Sequence, residues 1–396
     1  MFMAHIVILG AGYAGLGTAR KLAKIAPADT KIDLIDRNTK HVESIELYQV
    51  AAGSADADKI SFDIRGVLPN NVNFIQANVS KIDYENKTVE FSDHDDMTYD
   101  YVVVGLGFRS ENFGMEGADQ YSYKLQDIPT AEKIYEVINS NIRNYKQSQD
   151  PNDLNIVVCG AGFTGIELLG ELIDTAKILK AKYDVPEINI TSVEMAPQIL
   201  PMFDSELAKY AVDFLSKNGI KIMTSAKIKK IEPNAVVYTK GDSEEEQRIY
   251  ANSIIWTVGV SGSDVIKDSG FEARRNRITV TDYLNVEDHP ELYVIGDDSA
   301  SMDPQSNRPL PTTGQLALAQ AEVAAENIVA DLKKQPQKKF VYKSKGTIAS
   351  LGPSHGIAEI TKPHLKLKGS MAALAKRFSF EQVLYEVGGI KGLQKK

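Results

Sequence analysis

Two glycine clusters mark the candidate chemistry of this chain. Gly160, Gly162 and Gly165 give G-x-G-x-x-G after the apolar run Ile156, Val157, Val158, and Gly10, Gly12 and Gly15 repeat the pattern near the start. In such a turn the first glycine permits a tight bend, the second lets backbone approach a pyrophosphate, and the third lets helix pack on strand. The helix N-terminus then offers amide N–H groups and partial positive charge to the phosphates. Two such turns imply two dinucleotides, and so electron transfer between them. A carboxylate ends each following strand: Asp36, 21 residues after Gly15, and Glu194, 29 after Gly165. Each is placed to accept hydrogen bonds from an adenosine ribose. Glu194 would also repel a 2′-phosphate, which selects NADH over NADPH.

Other side chains stand near these turns. Glu167 falls in the first turn of the helix after Gly165, either as a functional acid at the domain junction or as an acid favoured by the helix dipole. Glu171, one turn on, reads as its support. Gly314 and Gln315 open a long helix; amides there would stabilise negative charge on a reduced cofactor, or Gln315 is a polar cap. Arg37 either reaches an adenine or phosphate or is solvated.

The elements that must position them follow from hydrophobic periodicity. Strands are predicted over residues 5–9, 31–36, 72–75, 88–91, 99–104, 188–194, 252–260 and 292–297, and helices over 14–25, 127–144, 164–183, 205–218, 313–332 and 371–387. Apolar strands run into Gly105 and Gly259, where backbone can approach a ligand closely. The polar stretch 147–153 and the basic, proline-containing stretch 333–339 read as connectors.

A chain of 396 residues has room for two or three domains. Its net charge of −8 argues against general nucleic-acid binding. Residues 338–396 nevertheless hold 12 Lys and Arg against three Asp and Glu. Cys159 is the one cysteine, so no intrachain disulfide or dithiol pair exists, and its place at a strand end marks it as a core residue. The histidines show no metal-ligand spacing, and no metal is expected. No secretory signal and no spanning helix are expected either.

Gly10/Gly12/Gly15 with Asp36, Gly160/Gly162/Gly165 with Glu194, and Leu292 to Asp297 occur in that order. Together they resemble the two-dinucleotide-binding-domain flavoproteins of the pyridine nucleotide–disulfide oxidoreductase superfamily. The resemblance implies an α/β fold with two Rossmann-like domains. A discontinuous FAD domain (1–110 and 270–335) would hold an inserted NADH domain (111–269, core 152–260), and a small basic, amphipathic segment (336–396) would associate with a membrane. It implies FAD contacts at Gly10, Gly12, Tyr13, Ala14, Gly15, Asp36, Arg37, Val79, Gly105, Asp297, Gly314 and Gln315. NADH contacts would fall at Gly160, Gly162, Phe163, Thr164, Gly165, Glu194 and Gly259.

The single cysteine excludes the disulfide reductases of that superfamily and counts against its sulfide:quinone reductases. What remains is similar to the type II NADH dehydrogenases, which pass electrons from NADH through FAD to a membrane quinone of the menaquinone or ubiquinone type without pumping protons. Residues 162–167 (GFTGIE) resemble the segment with that family's functional glutamate, and 311–317 (PTTGQLA) its quinone motif. In that motif the second glutamine, Gln320, is displaced by one residue, about 100° on a helix. Ile45 stands where related chains often carry a small polar residue.

The expected function is therefore NADH:quinone oxidoreduction, with Glu167 and Gln315 as the catalytic pair. The enzyme would sit peripherally on the cytoplasmic face of the membrane. Met371, Leu374, Phe378, Leu384 and Val387, with Lys376, Arg377, Lys391, Lys395 and Lys396, would meet its anionic surface. A homodimer interface or packing on the body is the other use of that helix. A reductase of a soluble acceptor (ferredoxin, dioxygen or a small carrier) and a nucleotide-sensing flavoprotein are the competing functions.

Overall fold

The computed structural model describes residues 4–393. Its first unit opens with β1 (Ala4–Leu9), α1 (Tyr13–Ile25), β2 (Thr30–Asp36), α2 (Leu47–Ala52), β3 (Asn73–Gln76) and β4 (Tyr101–Val104). A second unit follows: β5 (Tyr123–Lys124), α3 (Ile128–Ser148), β6 (Asn155–Cys159), α4 (Phe163–Tyr183), β7 (Asn189–Val193), β8 (Ile220–Met223) and β9 (Ser253–Trp256). The chain then returns to the first unit with β10 (Asn285–Val286), β11 (His289–Val294) and α5 (Gly314–Leu332). It finishes with β12 (Gly346–Ser350), β13 (Gly356–Ile360), β14 (Leu365–Lys368) and α6 (Ser370–Leu393).

The first sheet has the order β10-β11-β4-β1-β2-β3 and is parallel except for β10. The second has the order β5-β9-β6-β7-β8 and is wholly parallel. Central strands such as β1 and β6 are buried on both faces, which is why their sequences are continuous apolar runs rather than alternating ones. In each sheet the chain order reverses beside the glycine-turn strand, between β1 and β4 and between β6 and β9. Doubly wound sheets bind ligands beyond the strand C-termini at such a reversal.

Helix starts obey local chemistry. Asp127 caps α3 by accepting from Thr130 N at 2.9 Å, Thr130 Oγ1 accepts back from Asp127 N, and Pro129 sits in the first turn. Helix α3 runs four residues past its expected end, to Ser148, where Gln149 takes a left-handed conformation. Cys159 is fully buried, and that burial pushes its thiol up to about 12, as befits a core residue.

Two features depart from the sequence-based outline. Ile266 packs into the first unit's core, and Ser269 Oγ accepts from Ile82 N at 2.8 Å, so the return to the first unit falls near residue 263 rather than 270. The C-terminal segment is also no free appendage. Phe380, Leu384 and Val387 of α6 join the core of the first unit, while Ala349, Leu351 and Ile357 join that of the second. Leu384 and Val387 therefore face the body, not a membrane. Gly389, at φ +61°, interrupts α6, and Lys395 and Lys396 lie outside the described residues.

Candidate active site

The two glycine turns match hydrogen bond for hydrogen bond. Gly10 N donates to Ile35 O at 2.7 Å and Gly160 N to Val193 O at 2.8 Å. Asp36 accepts from Ala11 N at 2.7 Å and Glu194 from Ala161 N at 2.8 Å, each through the residue after the first glycine. Gly10 and Gly160 have φ of +92° and +99°, the left-handed region that favours glycine. A Cβ on Gly15 would lie 1.7 Å from Gly10 O, and one on Gly165 2.2 Å from Gly160 O. At the middle glycines, Gly12 and Gly162, a Cβ would meet nothing within 4 Å. Helix and strand are thus in contact on the inner side while the outer side is open, the shape a pyrophosphate requires.

Other residues expected to contact the first dinucleotide lie around or beyond the first turn. A Cβ on Gly105 would lie 3.2 Å from the Ala14 methyl, so that glycine keeps β4 close to α1. Tyr13 donates its hydroxyl to Glu43 at 2.8 Å, and its ring lies against Gly314. Burial and the Glu43 charge hold the Tyr13 phenol well above its usual range. Asp297 takes no hydrogen bond from the protein among the described residues, which leaves its oxygens for ligand hydroxyls; burial raises it to about 6, with Arg277 opposing. Val79 is buried in a strand paired with Phe91, and Arg37 is exposed.

A cavity of about 1250 Å³ opens where the two units and the C-terminal segment meet. It gathers Phe163, Thr164, Glu167, Gly259, Gly314 and Gln315 from the predicted set. The remaining predicted residues line the glycine turns and strand ends outside it. Helix α5 starts at Gly314 because Thr313 caps it, accepting from Leu316 N at 3.1 Å. Gln315 Oε1 accepts from Lys345 N at 2.7 Å and Tyr342 O–H at 3.1 Å, which ties the 340–346 strand connection across the cavity. Gln320 is not in the cavity. It is fully buried, accepts from Gly296 N at 2.7 Å, and donates to Ser299 and Ser301 hydroxyls at 3.0 and 2.7 Å. The displaced glutamine thus clamps the turn that presents Asp297.

Glu167 is buried, and its Oε1 accepts from Ser350 N at 3.0 Å and from Lys376 Nζ at 2.7 Å. Lys376, expected on a basic outer face, instead points inward from α6, 18% exposed, and also stands 3.8 Å from Glu46. Burial pushes the Glu46 carboxyl up to about 7, with the Lys376 charge opposing. Burial also raises Glu171. Sequence reasoning missed Glu46, Tyr48 and Lys376, because none belongs to a spaced motif and only the fold brings residues 46, 167 and 376 together. It also missed Asp298, which is fully buried and accepts from Gly107 N at 3.0 Å and Ser263 N at 2.8 Å, joining both crossings between the units.

The fold and site define an oxidoreductase with two dinucleotide turns, and the profile of the pyridine nucleotide-disulphide oxidoreductase family matches residues 4–325. The type II NADH:quinone oxidoreductase of Staphylococcus saprophyticus is 37% identical over 391 residues, 97% of this chain and 96% of that protein. That of Staphylococcus haemolyticus is 38% identical over the same shares of the two chains. This chain belongs to the type II NADH:quinone oxidoreductases of that family. Its fold matches NDH2 of Plasmodium falciparum, solved in complex with NADH, with a TM-score of 0.87 at 18% identity over 99% of this chain and 97% of that one. It also matches the sulfide:quinone oxidoreductase of Aquifex aeolicus, with a TM-score of 0.81 at 21% identity over 98% and 92% of the two chains.

Proposed function

We propose that this chain oxidises NADH and reduces a membrane quinone, with FAD in the first unit and NADH in the second. The observation that carries this reading is a cavity bounded by the NADH-side turn (Phe163, Thr164), the α5 N-terminus (Gln315) and α6 together. Bound FAD supplies the two-electron relay between a hydride donor and a quinone. The chain's own residues do the rest. Asp36 and Glu194 would hold the two riboses, and Asp297 would take the ribityl hydroxyls. Amides at Gly314 and Gln315 would stabilise negative charge on the reduced cofactor. Glu167 with Lys376 orients the substrates and moves protons at the cavity wall.

Quinones with long tails reside in bilayers, so the enzyme must dock on one. Among the described residues no helix is long and apolar enough to cross a membrane. Helix α6 instead exposes Met371, Leu374, Phe378 and Tyr385 at helical spacing, with Arg377 and Lys391 also exposed. Phe378 and Tyr385 also line the cavity, so this face would lead a quinone inward. With NADH supplied from the cytoplasm, the docked face would be the cytoplasmic one. Salt-sensitive co-sedimentation with anionic vesicles is expected and should disappear in a Met371→Ser, Leu374→Ser, Phe378→Ser variant. If wild-type protein ignores vesicles and forms dimers that this variant abolishes, the face joins two copies instead.

The activity itself is tested by an anaerobic flavin spectrum. NADH should bleach the oxidised band, and a short-chain quinone should restore it within the turnover time. Bleaching without recovery would assign the electrons to a soluble acceptor.

A further inference from the structure

Glu46 has no part in the reading above, yet it is among the most buried acids of the molecule. It ends the short turn Ser44–Glu46 and is 3% exposed. Its Oε2 accepts from Tyr48 O–H at 2.9 Å and from Gln49 Nε2, and its Oε1 stands 3.8 Å from Lys376 Nζ. Lys376 lies closer to Glu167, at 2.7 Å. Among the described residues it is the one cation within ion-pair distance of either acid. Glu43 adds a further buried carboxylate on the same segment, held by Tyr13 and standing 3.2 Å from His41, and Glu171 adds another on α4.

One ammonium thus lies between two carboxylates, in surroundings of low polarity. Two acids that share a single buried cation cannot both ionise without leaving uncompensated charge, so one keeps its proton. Glu167 has the short ion pair and a backbone donor, and Glu46 has the long one. Lys376 borders the cavity, whereas Glu46 stands behind it.

We propose that Glu46 is the proton store of this site: it holds a proton at rest and returns it to Lys376 after Lys376 has protonated the quinone. This rests on the quinone reading of the cavity. NADH delivers two electrons and one proton as hydride, whereas quinol formation takes two electrons and two protons. The second proton must come from solvent through the protein. A Lys376 N–H bond breaks as a quinol O–H bond forms. The Glu46 O–H bond then breaks as the Lys376 N–H bond re-forms, and the Glu46 carboxylate takes a proton from solvent. Glu46 acts only through Lys376 and is a positioning residue in that sense.

Infrared spectra of the FAD-loaded protein test the store directly. The wild-type minus Glu46→Gln difference spectrum should show a protonated-carboxyl C=O band, distinct from those of Asp297 and Asp298, that fades as pH rises through about 7. Quinone turnover of wild type should fall about tenfold for each pH unit above that midpoint. In Glu46→Gln that limb should vanish, with turnover low throughout and NADH bleaching of the flavin unchanged. Glu46→Asp should restore the limb at a shifted pH. A difference spectrum without that band, or a wild-type pH profile in Glu46→Gln, overturns the proposal. Should Glu46→Gln fail to fold, Glu46→Asp must still move the band; an unmoved band is equally fatal. Absent quinone turnover in wild type would instead refute the functional reading, while the infrared result still identifies the protonated acid.

Discussion

Glu167→Gln is expected to lower NADH:quinone turnover by about 100-fold, the scale of losing a positioned acid–base group, and to leave flavin binding intact. Glutamine fills the same volume and keeps an oxygen for Ser350 N, so β12 stays against α4. It cannot match the Lys376 ammonium, whose 2.7 Å partner becomes neutral. Lys376 then has Glu46 as its remaining acidic neighbour, which gives up its proton to pair with it, and is drawn away from the cavity wall. Steady-state turnover and the anaerobic rate of flavin bleaching by NADH should be measured side by side. Loss confined to quinone reduction assigns Glu167 to the second half of the cycle. Loss of both assigns it to nicotinamide placement, and wild-type turnover removes it from the mechanism.

The second large effect separates the two nucleotide sites. In Gly165→Ala the new methyl would lie 2.2 Å from Gly160 O and 2.9 Å from Thr257 Oγ1. The nearer of these is backbone, so α4 must move off β6. Overpacking of this kind costs about 3 kcal/mol, roughly two decades in affinity. NADH should then fail to bleach the flavin at concentrations that saturate wild type. Dithionite should still bleach it, and quinone should still restore it. Gly15→Ala places its methyl 1.7 Å from Gly10 O and should cost the flavin instead. The reverse pattern, flavin lost from Gly165→Ala and retained by Gly15→Ala, would exchange the ligands of the two units.

The glycine turns were readable because their chemistry is local: bend, close approach and helix start lie within six residues, and the closing carboxylate follows on the next strand. Gly10, Gly12, Gly15 and Asp36, and their counterparts Gly160, Gly162, Gly165 and Glu194, could be named from spacing alone. The helix expected over 313–332 was readable for the same reason and runs Gly314–Leu332, whereas Thr313 as its cap and the later end of α3 were not read.

Side-chain direction over long separations was not readable. Lys376 and Arg377 are adjacent and equally basic, yet Arg377 is exposed and Lys376 enters a buried ion pair with a residue 209 positions earlier. Leu384 and Val387 face the core while Leu374 and Phe378, on the same helix, face outward. Gln320, one residue off its expected place, turned out to clamp the Gly296 turn. The segment around Glu43, Glu46 and Tyr48 carried no motif, and its acids gain meaning only when α4 and α6 close over them.

The sequence by itself determined two dinucleotide turns, their carboxylates, the cysteine-free chemistry and the class of reaction, because each depends on neighbours in the chain. Only the tertiary structure decided which of many acids and bases share a desolvated space. Burial and charge pairing are set by distance in space, and that distance is fixed once both sheets and the C-terminal helix have packed.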